Sequence, residues 1–463
     1  PTEVLPRRVS SRVRGKPAPN YTAETVVASE EFKELQARRA PPRTAEIHGP
    51  AFVKDLQANS KLHGCVNKAA LSYANVLASY SMTSLSQHKV LDNRITALQC
   101  LRSDNVVVVA GDKTGQMAVL KVDGKLQSYA FKPFSDVVSM IKTTEDSFFC
   151  SCYNGKLVQV SVDNYKKKDV VYARTGGSYE DNRLYCFDFD STAMNTGFVS
   201  HGDGTLRRID VRVPGATVGS PFTVHDKKVG FVHCNPVSPH LLATCSLDRT
   251  IKVWDARKMG KAGCNLVTLE DASLSINHAT WSPDGTKLLS CSMDHHVRVH
   301  YTPQDFTEGA LVPTCEFPHF NKTGRWLTKF QGVWDPKNSS VFYYGCLQQP
   351  RQMEAFVCVD GVSRPVSAAA PKQAKGTQDK ENKENKEEET EAEQQGDDFF
   401  ECRTAGAATK VTQRWQGSGV FRLMQFQDED YLGSVQSLIA PHHKKHFLAG
   451  ANSSGRISFF KAP

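Results

Sequence analysis

The chain has 463 residues, 40% of them hydrophobic, which is enough for a packed core, and no run of 18 apolar residues that would predict a membrane span. Its net charge of +8 is uneven, because residues 372–400 hold ten acidic and five basic residues and so leave +13 on the rest. The 13 cysteines, from Cys65 to Cys402, include no C-x-x-C pair, which excludes a zinc ribbon or a disulfide framework and leaves reduced thiols packed as small hydrophobes. No secretory signal pattern opens the sequence, which starts at Pro1 and not at Met, and it is the reduced thiols that lead us to expect an intracellular protein. A basic body with one acidic segment points to a polyanionic partner, nucleic acid first.

Residues 1–63 are basic and polar, and "LPRRVSSRVRGKP" places Arg7, Arg8, Arg12, Arg14 and Lys16 close together. This reads as a disordered arm that serves nuclear import or touches phosphates. "TAETVVASEEFKELQARR" follows, and its helix formers predict one short helix capped by Thr22.

From about residue 88 the pattern is one of strands. "NVVVVAGDKTGQMAVLKVD", "FFCSCYNGKLVQVSVD", "GFVSHGDGTLRRIDVR", "LLATCSLDRTIKVWDAR", "LLSCSMDHHVRVHYT" and "FLAGANSSGRISFFKA" each place an apolar strand, a polar turn and a second strand in that order. The turn residues Asp112, Asn154, Asp203, Asp248 and Asp294 are spaced by 42, 49, 45 and 46 residues. That period is the four-stranded blade of a WD-repeat propeller. "FVHCNPVSPH", "HATWSPDGTK" and "GVWDPKNSS" supply the preceding strand and turn, and segment 317–359 supplies one degenerate blade.

The expected fold is therefore an all-β, seven-bladed propeller over residues 64–462, closed by a strand from 65–88. An acidic insert at 367–417, rich in Lys, Glu and Asn, is expected to be disordered. Its two "KEN" triplets, at Lys380 and Lys383, resemble mitotic degrons, although a tract of this composition produces such triplets by chance.

Motifs for an enzyme are missing: there is no G-x-S-x-G, Walker loop, H-E-x-x-H or dinucleotide fingerprint. His442 and His446 in "PHHKKH" read as a solvated turn and not as a metal site, and Asp428–Asp430 can be read as a carboxylate pair, although the sequence positions nothing for it to act with. A non-enzymatic protein without cofactors is expected, one that binds macromolecules through its loops.

Two features bear on partners. "WDAR" puts Trp254, Asp255 and Arg257 at a d-to-e turn of the fourth blade, and "RRIDVR" puts Asp210 and Arg212 in the same register of the third. An exposed Arg there suits bidentate contact with carboxylates. The pattern resembles the box by which WD-repeat substrate receptors dock on the damage-binding protein 1 adaptor of cullin-4 ubiquitin ligases. The second feature is "FPHFNKTGRWLTKFQGVWDP", a long connection into blade six that carries Lys322, Arg325, Trp326 and Lys329. Cations supply phosphate contacts and an aromatic plane can stack on an unpaired base. Trp326 and Phe330 packing under the loop is the alternative. Lys227 and Lys228 occupy the corresponding connection of the fourth blade, and Arg351 follows the sixth blade's b–c turn. These seven residues (Lys227, Lys228, Lys322, Arg325, Trp326, Lys329, Arg351) are the expected DNA-binding set.

"TGRWLTKFQGVWDP", "GCLQQPRQMEAF" and "FQDEDYLGSVQSLIAPHHKKHFLAGANSSGRISFF" also resemble the WD repeat-containing protein 76 family, whose fungal counterpart is described as damaged-DNA-binding, and the basic opening is similar too. More distantly the chain resembles damage-specific DNA-binding protein 2, in which a hairpin at this place drives a Phe-Gln-His wedge into the lesion. Gly324, Arg325 and Trp326 fall opposite that wedge, so the leading aromatic is absent. The resemblance implies a nuclear protein that binds single- and double-stranded DNA and chromatin, with a preference for UV-damaged or distorted DNA. The alternative is a substrate receptor of the cullin-4 ligase. A scaffold reading a histone peptide in the central channel is a third reading.

Overall fold

The computed structural model describes residues 68–83, 86–358 and 420–462, less short loop stretches (among them 214–219, 260–264, 302–312, 322, 325–326, 348–350 and 429–431), and the strand backbones at 46–48, 399–403 and 410–414. The expected basic arm, its helix, most of the acidic insert and both KEN triplets lie outside the described residues.

Seven sheets form the seven blades of the expected all-β propeller, six of them four-stranded and one seven-stranded, all antiparallel but for the parallel edge strand Glu46–His48 of the seven-stranded one. Their first, innermost strands begin at Ile95, Val138, Leu184, Val229, Ile276, Val333 and Leu438. The recurring Asp or Asn explains why each unit turns where it does. Its side-chain oxygen accepts from the backbone N–H two residues on, as in Asp112 to Thr114 (2.7 Å), Asp248 to Thr250 (2.9 Å) and Asn452 to Ser454 (3.0 Å). After Asn154, Asp203, Asp248 and Asp294 the next position takes a left-handed backbone, whereas in the Asp112 and Asn452 turns it is the glycine three residues on, Gly115 and Gly455. Gly155 and Gly204 meet this at no steric cost, whereas Arg249 (φ 78°) and His295 (φ 67°) adopt it as side-chain-bearing residues.

The second strands are apolar on both faces, as in Leu241–Ser246 and Lys287–Ser292, because each blade is covered on either side by a neighbour. The nine cysteines whose side chains are described all sit free and buried, on or next to first, second and third strands alike, and burial pushes thiols such as Cys100 and Cys186 up to about 12. They pack as small hydrophobes, as expected.

The ring closes where Gln87–Lys89 pairs with Arg456–Lys461 and becomes the outer strand of blade seven. Closure by the N-terminal flank was expected. What precedes that strand was not: Lys68–Ala78 is a helix, and Leu77 and Tyr80 beyond it pack in one core cluster with Met424, Phe426, Leu448 and Phe460 of blades six and seven. Within the span assigned to the insert, Phe399–Arg403 and Lys410–Arg414 form strands that extend the sheet of blade six, and Glu46–His48 joins its edge. The expectation of disorder throughout 367–417 is corrected at those two segments.

Candidate nucleic-acid interface

Alternating strand direction sorts every connection to one end of the ring or the other. Val229 pairs with Ser246 and Leu241 with Asp255. Loops entering a first strand therefore share an end with turns between second and third strands, here called the upper end. Turns between third and fourth strands lie at the opposite, lower end.

At the upper end the connection 319–332 does more than join blades five and six. Thr328 donates its hydroxyl to the carbonyl of Ile95 in blade one (2.5 Å), and Arg94 donates from Nη1 to the carbonyl of Leu327 (3.4 Å). Lys329 donates from Nζ to Asn277 Oδ1 in blade five (2.7 Å). Blades one and five are not neighbours, so the connection reaches across the mouth of the central channel. Leu327 and Phe330 anchor it in the core that holds Phe320, Trp334 and Tyr344. Phe330 thus packs under the loop. Lys322, Arg325 and Trp326 lie outside the described residues.

Cations and aromatic rings alternate around this mouth. Arg183 lies 4.7 Å from the ring centre of Tyr179 and 5.4 Å from that of Tyr153. Tyr153 and Tyr185 are 5.1 Å apart, and the Lys228 ammonium sits 4.3 Å from the centre of Tyr185. Burial brings Lys228 down to about 8, and the charges of Lys329 and Arg183 add to the effect against a weaker pull from Glu180. Lys329 is exposed to water yet has protein on most sides. Desolvation holds it below the ordinary lysine range, and the thiols of Cys245 and Cys291 oppose that shift. Lys227 is exposed beside them.

Arg351 is not at this surface, which corrects its place in the expected set. It is 8% exposed and donates from Nη1 to the carbonyl of Leu347 (2.8 Å), holding the turn of blade six from inside. Arg94 and Arg183, by contrast, were not in the expected set. A signal was present in the sequence: "DNR" occurs immediately before a first strand both at 92–94 and at 181–183.

The lower end carries the two W/I-D-x-R boxes, at the turn from third to fourth strand and not at a d-to-e turn. Their geometry repeats closely. Arg212 donates to both carboxylate oxygens of Asp210 (2.9 and 2.6 Å), and Arg257 to both of Asp255 (2.9 and 2.8 Å). These hydrogen bonds hold each Asp down at about 2. Both Arg side chains are about two-thirds exposed (66% and 67%), so the fork is occupied within the chain while its outer edge faces solvent.

Trp254 itself is structural. Its Nε1 donates to Thr244 Oγ1 (2.9 Å), which also meets His225 Nε2 (2.8 Å), and His225 Nδ1 meets Asp248 (2.8 Å). Burial works to raise the Asp248 carboxyl, but His225 and Thr250 hold it well below the usual range. His442 is likewise no solvated residue: it is fully buried, and its Nδ1 accepts from the N–H of Lys444 and of Lys445. Among the described residues, no group of three His, Cys, Asp or Glu could hold a metal, and no helix is long and apolar enough to cross a membrane.

Seven blades, six of them four-stranded, closed by the N-terminal flank and carrying a Trp–Thr–His–Asp chain in the fourth, define a WD-repeat β-propeller. The family described as "WD domain, G-beta repeat" matches residues 216–255 and 263–300, which hold the first three strands of blades four and five, each with the outer strand of the blade before. Solved propellers share the fold. The β-propeller domain of Myceliophthora thermophila Cps50 (Swd1) superposes with a TM-score of 0.55 at 10% identity, covering 83% of this chain and 100% of that one. A chain of the Mitotic Checkpoint Complex does so at 0.53 and 12%, covering 82% and 92%.

The particular relatives are narrower. WD repeat-containing protein 76 of Xenopus laevis is 26% identical over 84% of this chain and 56% of its own length. Its mouse namesake is 30% identical over 62% and 46%. The DNA damage-binding protein cmr1 of Neurospora crassa is 28% identical over 56% and 55%. The chain is thus a WD-repeat homologue of these proteins, and it spans about half the length of each.

Proposed function

We propose that this protein is a nuclear, non-enzymatic DNA-binding propeller whose upper end meets the phosphate backbone through Lys227, Lys228, Lys329, Arg183 and Arg94. The observation that carries the reading is the crowding of Lys228, Lys329 and Arg183 at the channel mouth. Burial is the main reason Lys228 is depressed to about 8, and the like charges of Lys329 and Arg183 push it the same way. A polyanion laid over the mouth relieves that repulsion and releases its own counterions. The name of the Neurospora crassa relative, a DNA damage-binding protein, supports the same partner, and the proposal takes damaged or distorted DNA as the preferred form and chromatin as its setting. Lys322, Arg325 and Trp326 complete the set from the connection 319–332.

The test is a titration of the purified protein with intact, UV-damaged and single-stranded oligonucleotides at several salt concentrations. A steep fall in affinity with salt is expected; a flat response would sink the phosphate-contact reading.

A second reading rests on the lower end. Two neighbouring blades present the same Asp-forked Arg, which fits docking of the damage-binding protein 1 adaptor of a cullin-4 ligase. Arg212→Ala combined with Arg257→Ala should abolish adaptor capture in a pull-down while leaving DNA affinity within about twofold, because surface changes away from a site rarely exceed ~0.5 kcal/mol. Undiminished capture would count against it.

A further inference from the structure

The described lysines with buried or half-buried amines are mostly tied down. Lys142 pairs with Asp188, Lys337 with Asp335 (3.1 Å), Lys252 donates to the carbonyl of Val224 (3.0 Å) and Lys329 to Asn277 (2.7 Å). Lys228 differs. Among the described residues no carboxylate lies within ion-pair distance of its amine, which meets the face of Tyr185 at 4.3 Å. Its backbone is fixed, since its carbonyl accepts from Ser246 Oγ (2.9 Å) and from the N–H of Leu247 (3.4 Å). The amine is therefore held by a rigid strand end, backed by an aromatic ring, flanked by two further cations and open at the channel mouth.

That is how a lysine is prepared as a nucleophile: desolvation and a neighbouring cation free its lone pair near neutral pH. The chemistry it suits is addition to an aldehyde, and DNA contains one wherever a base has been lost, because the abasic deoxyribose opens to a free C1′ aldehyde.

We propose that Lys228 captures abasic sites in DNA by forming a reversible imine between its Nζ and the C1′ aldehyde of the ring-opened sugar. The neutral amine attacks C1′ and gives a carbinolamine. Both amine hydrogens leave with the former carbonyl oxygen as water, and a C=N bond remains. Nothing is oxidised or reduced. Lys329 and Arg183 hold the phosphates on either side, and the Tyr185 ring shields one face of the adduct. The inference rests on the DNA-binding reading and adds to it a ligand class and a covalent step. The position of Lys228 near 8 in the free protein supports it, because an appreciable fraction of the amine is neutral at pH 7.5 to 8 wherever the abasic sugar, and not a phosphate, stands against it.

The experiment uses the full chain and a duplex oligonucleotide carrying one abasic site, with borohydride added to reduce the imine to a stable amine. Binding of the same duplex is measured in parallel by fluorescence anisotropy, so that trapping is expressed per bound DNA. The wild-type protein is expected to give a covalent band that rises between pH 6.5 and pH 8.5. Lys228→Arg should trap at least tenfold less per bound duplex, and Lys444→Arg, at the lower end, as much as wild type. Peptide mapping of the wild-type adduct should place the mass on Lys228, which keeps the test decisive if the variant folds poorly. DNA binding without trapping, unchanged trapping by Lys228→Arg, or an adduct on other lysines would overturn the imine and leave the binding reading standing. Failure to bind any oligonucleotide would overturn both.

Discussion

Reversing Lys228 and Lys329 together to glutamate should lower affinity for a duplex oligonucleotide by roughly 100-fold near 0.1 M salt and flatten the salt dependence by about two in log–log slope, one for each lost phosphate contact. The two amines come from different blades, yet each adds to the other's repulsion, so removing both tests the cluster as a unit. Lys329 also bonds Asn277 and anchors the connection 319–332, so thermal unfolding of the variant must be recorded beside its binding. A pH series separates specific contact from general charge loss. Lys228 titrates near 8 in the free protein, and a phosphate oxygen moves it back toward the ordinary lysine value. Binding therefore takes up a proton between those two values, and affinity should weaken as pH rises through about 8. The folded state's own stability runs the other way: between about 8 and the unfolded value the unfolded chain binds more protons, so stability rises with pH there. A binding profile flat across pH 7 to 9 would exclude Lys228 from the contact. An unchanged affinity of the double variant would place the interface elsewhere on the ring.

The ring was legible in the sequence because its repeat is enforced by local chemistry. Each second-to-third-strand turn needs an oxygen at one position and a left-handed residue one or three positions on, and Asp112, Asn154, Asp203, Asp248 and Asp294 announce that need at spacings of 42, 49, 45 and 46 residues. The helix 68–78 was not legible. "KAALSYANVLA" has helix formers but no acidic first turn or basic last turn, and its place is set by packing on blades that lie some 350 residues away in the chain. The upper-end site was legible in part. Lys228 and Lys329 stand beside strand starts, where charge is conspicuous, and Arg94 and Arg183 occupy the same kind of position inside two "DNR" triplets. Arg351 was misread for a physical reason. An Arg in a polar turn looks exposed in a string of letters, but its guanidinium can satisfy a buried carbonyl such as that of Leu347, and that bond is visible only in three dimensions.

Removing residues 1–89 should abolish cooperative folding, the second large effect expected of this molecule. The deletion takes away Gln87–Lys89, the outer strand of blade seven, and leaves Arg456–Lys461 as an open edge. It also removes the paired bonds between Ser81 and Lys461 (3.0 and 3.2 Å). The larger loss is apolar. Leu77 (0% exposed), Tyr80 (2%) and Ala74 (4%) pack against Met424, Phe426 and Phe460, with the Tyr80 ring 5.7 Å from that of Phe426. Truncating one such side chain costs about 2–5 kcal/mol, so losing the group removes an amount comparable with the ~5–15 kcal/mol of a whole domain. The truncated chain should therefore be recovered as aggregate, with its unpaired edge free to add strands from other copies. Leu77→Ala supplies the graded form of the same experiment. Its denaturant midpoint should fall by an amount equivalent to about 2–5 kcal/mol at unchanged slope, whereas Lys89→Ala, which removes only exposed atoms, should move it by less than about 0.5 kcal/mol. If the truncated chain stays monomeric and unfolds at the midpoint of the full one, the N-terminal flank decorates the ring and does not close it.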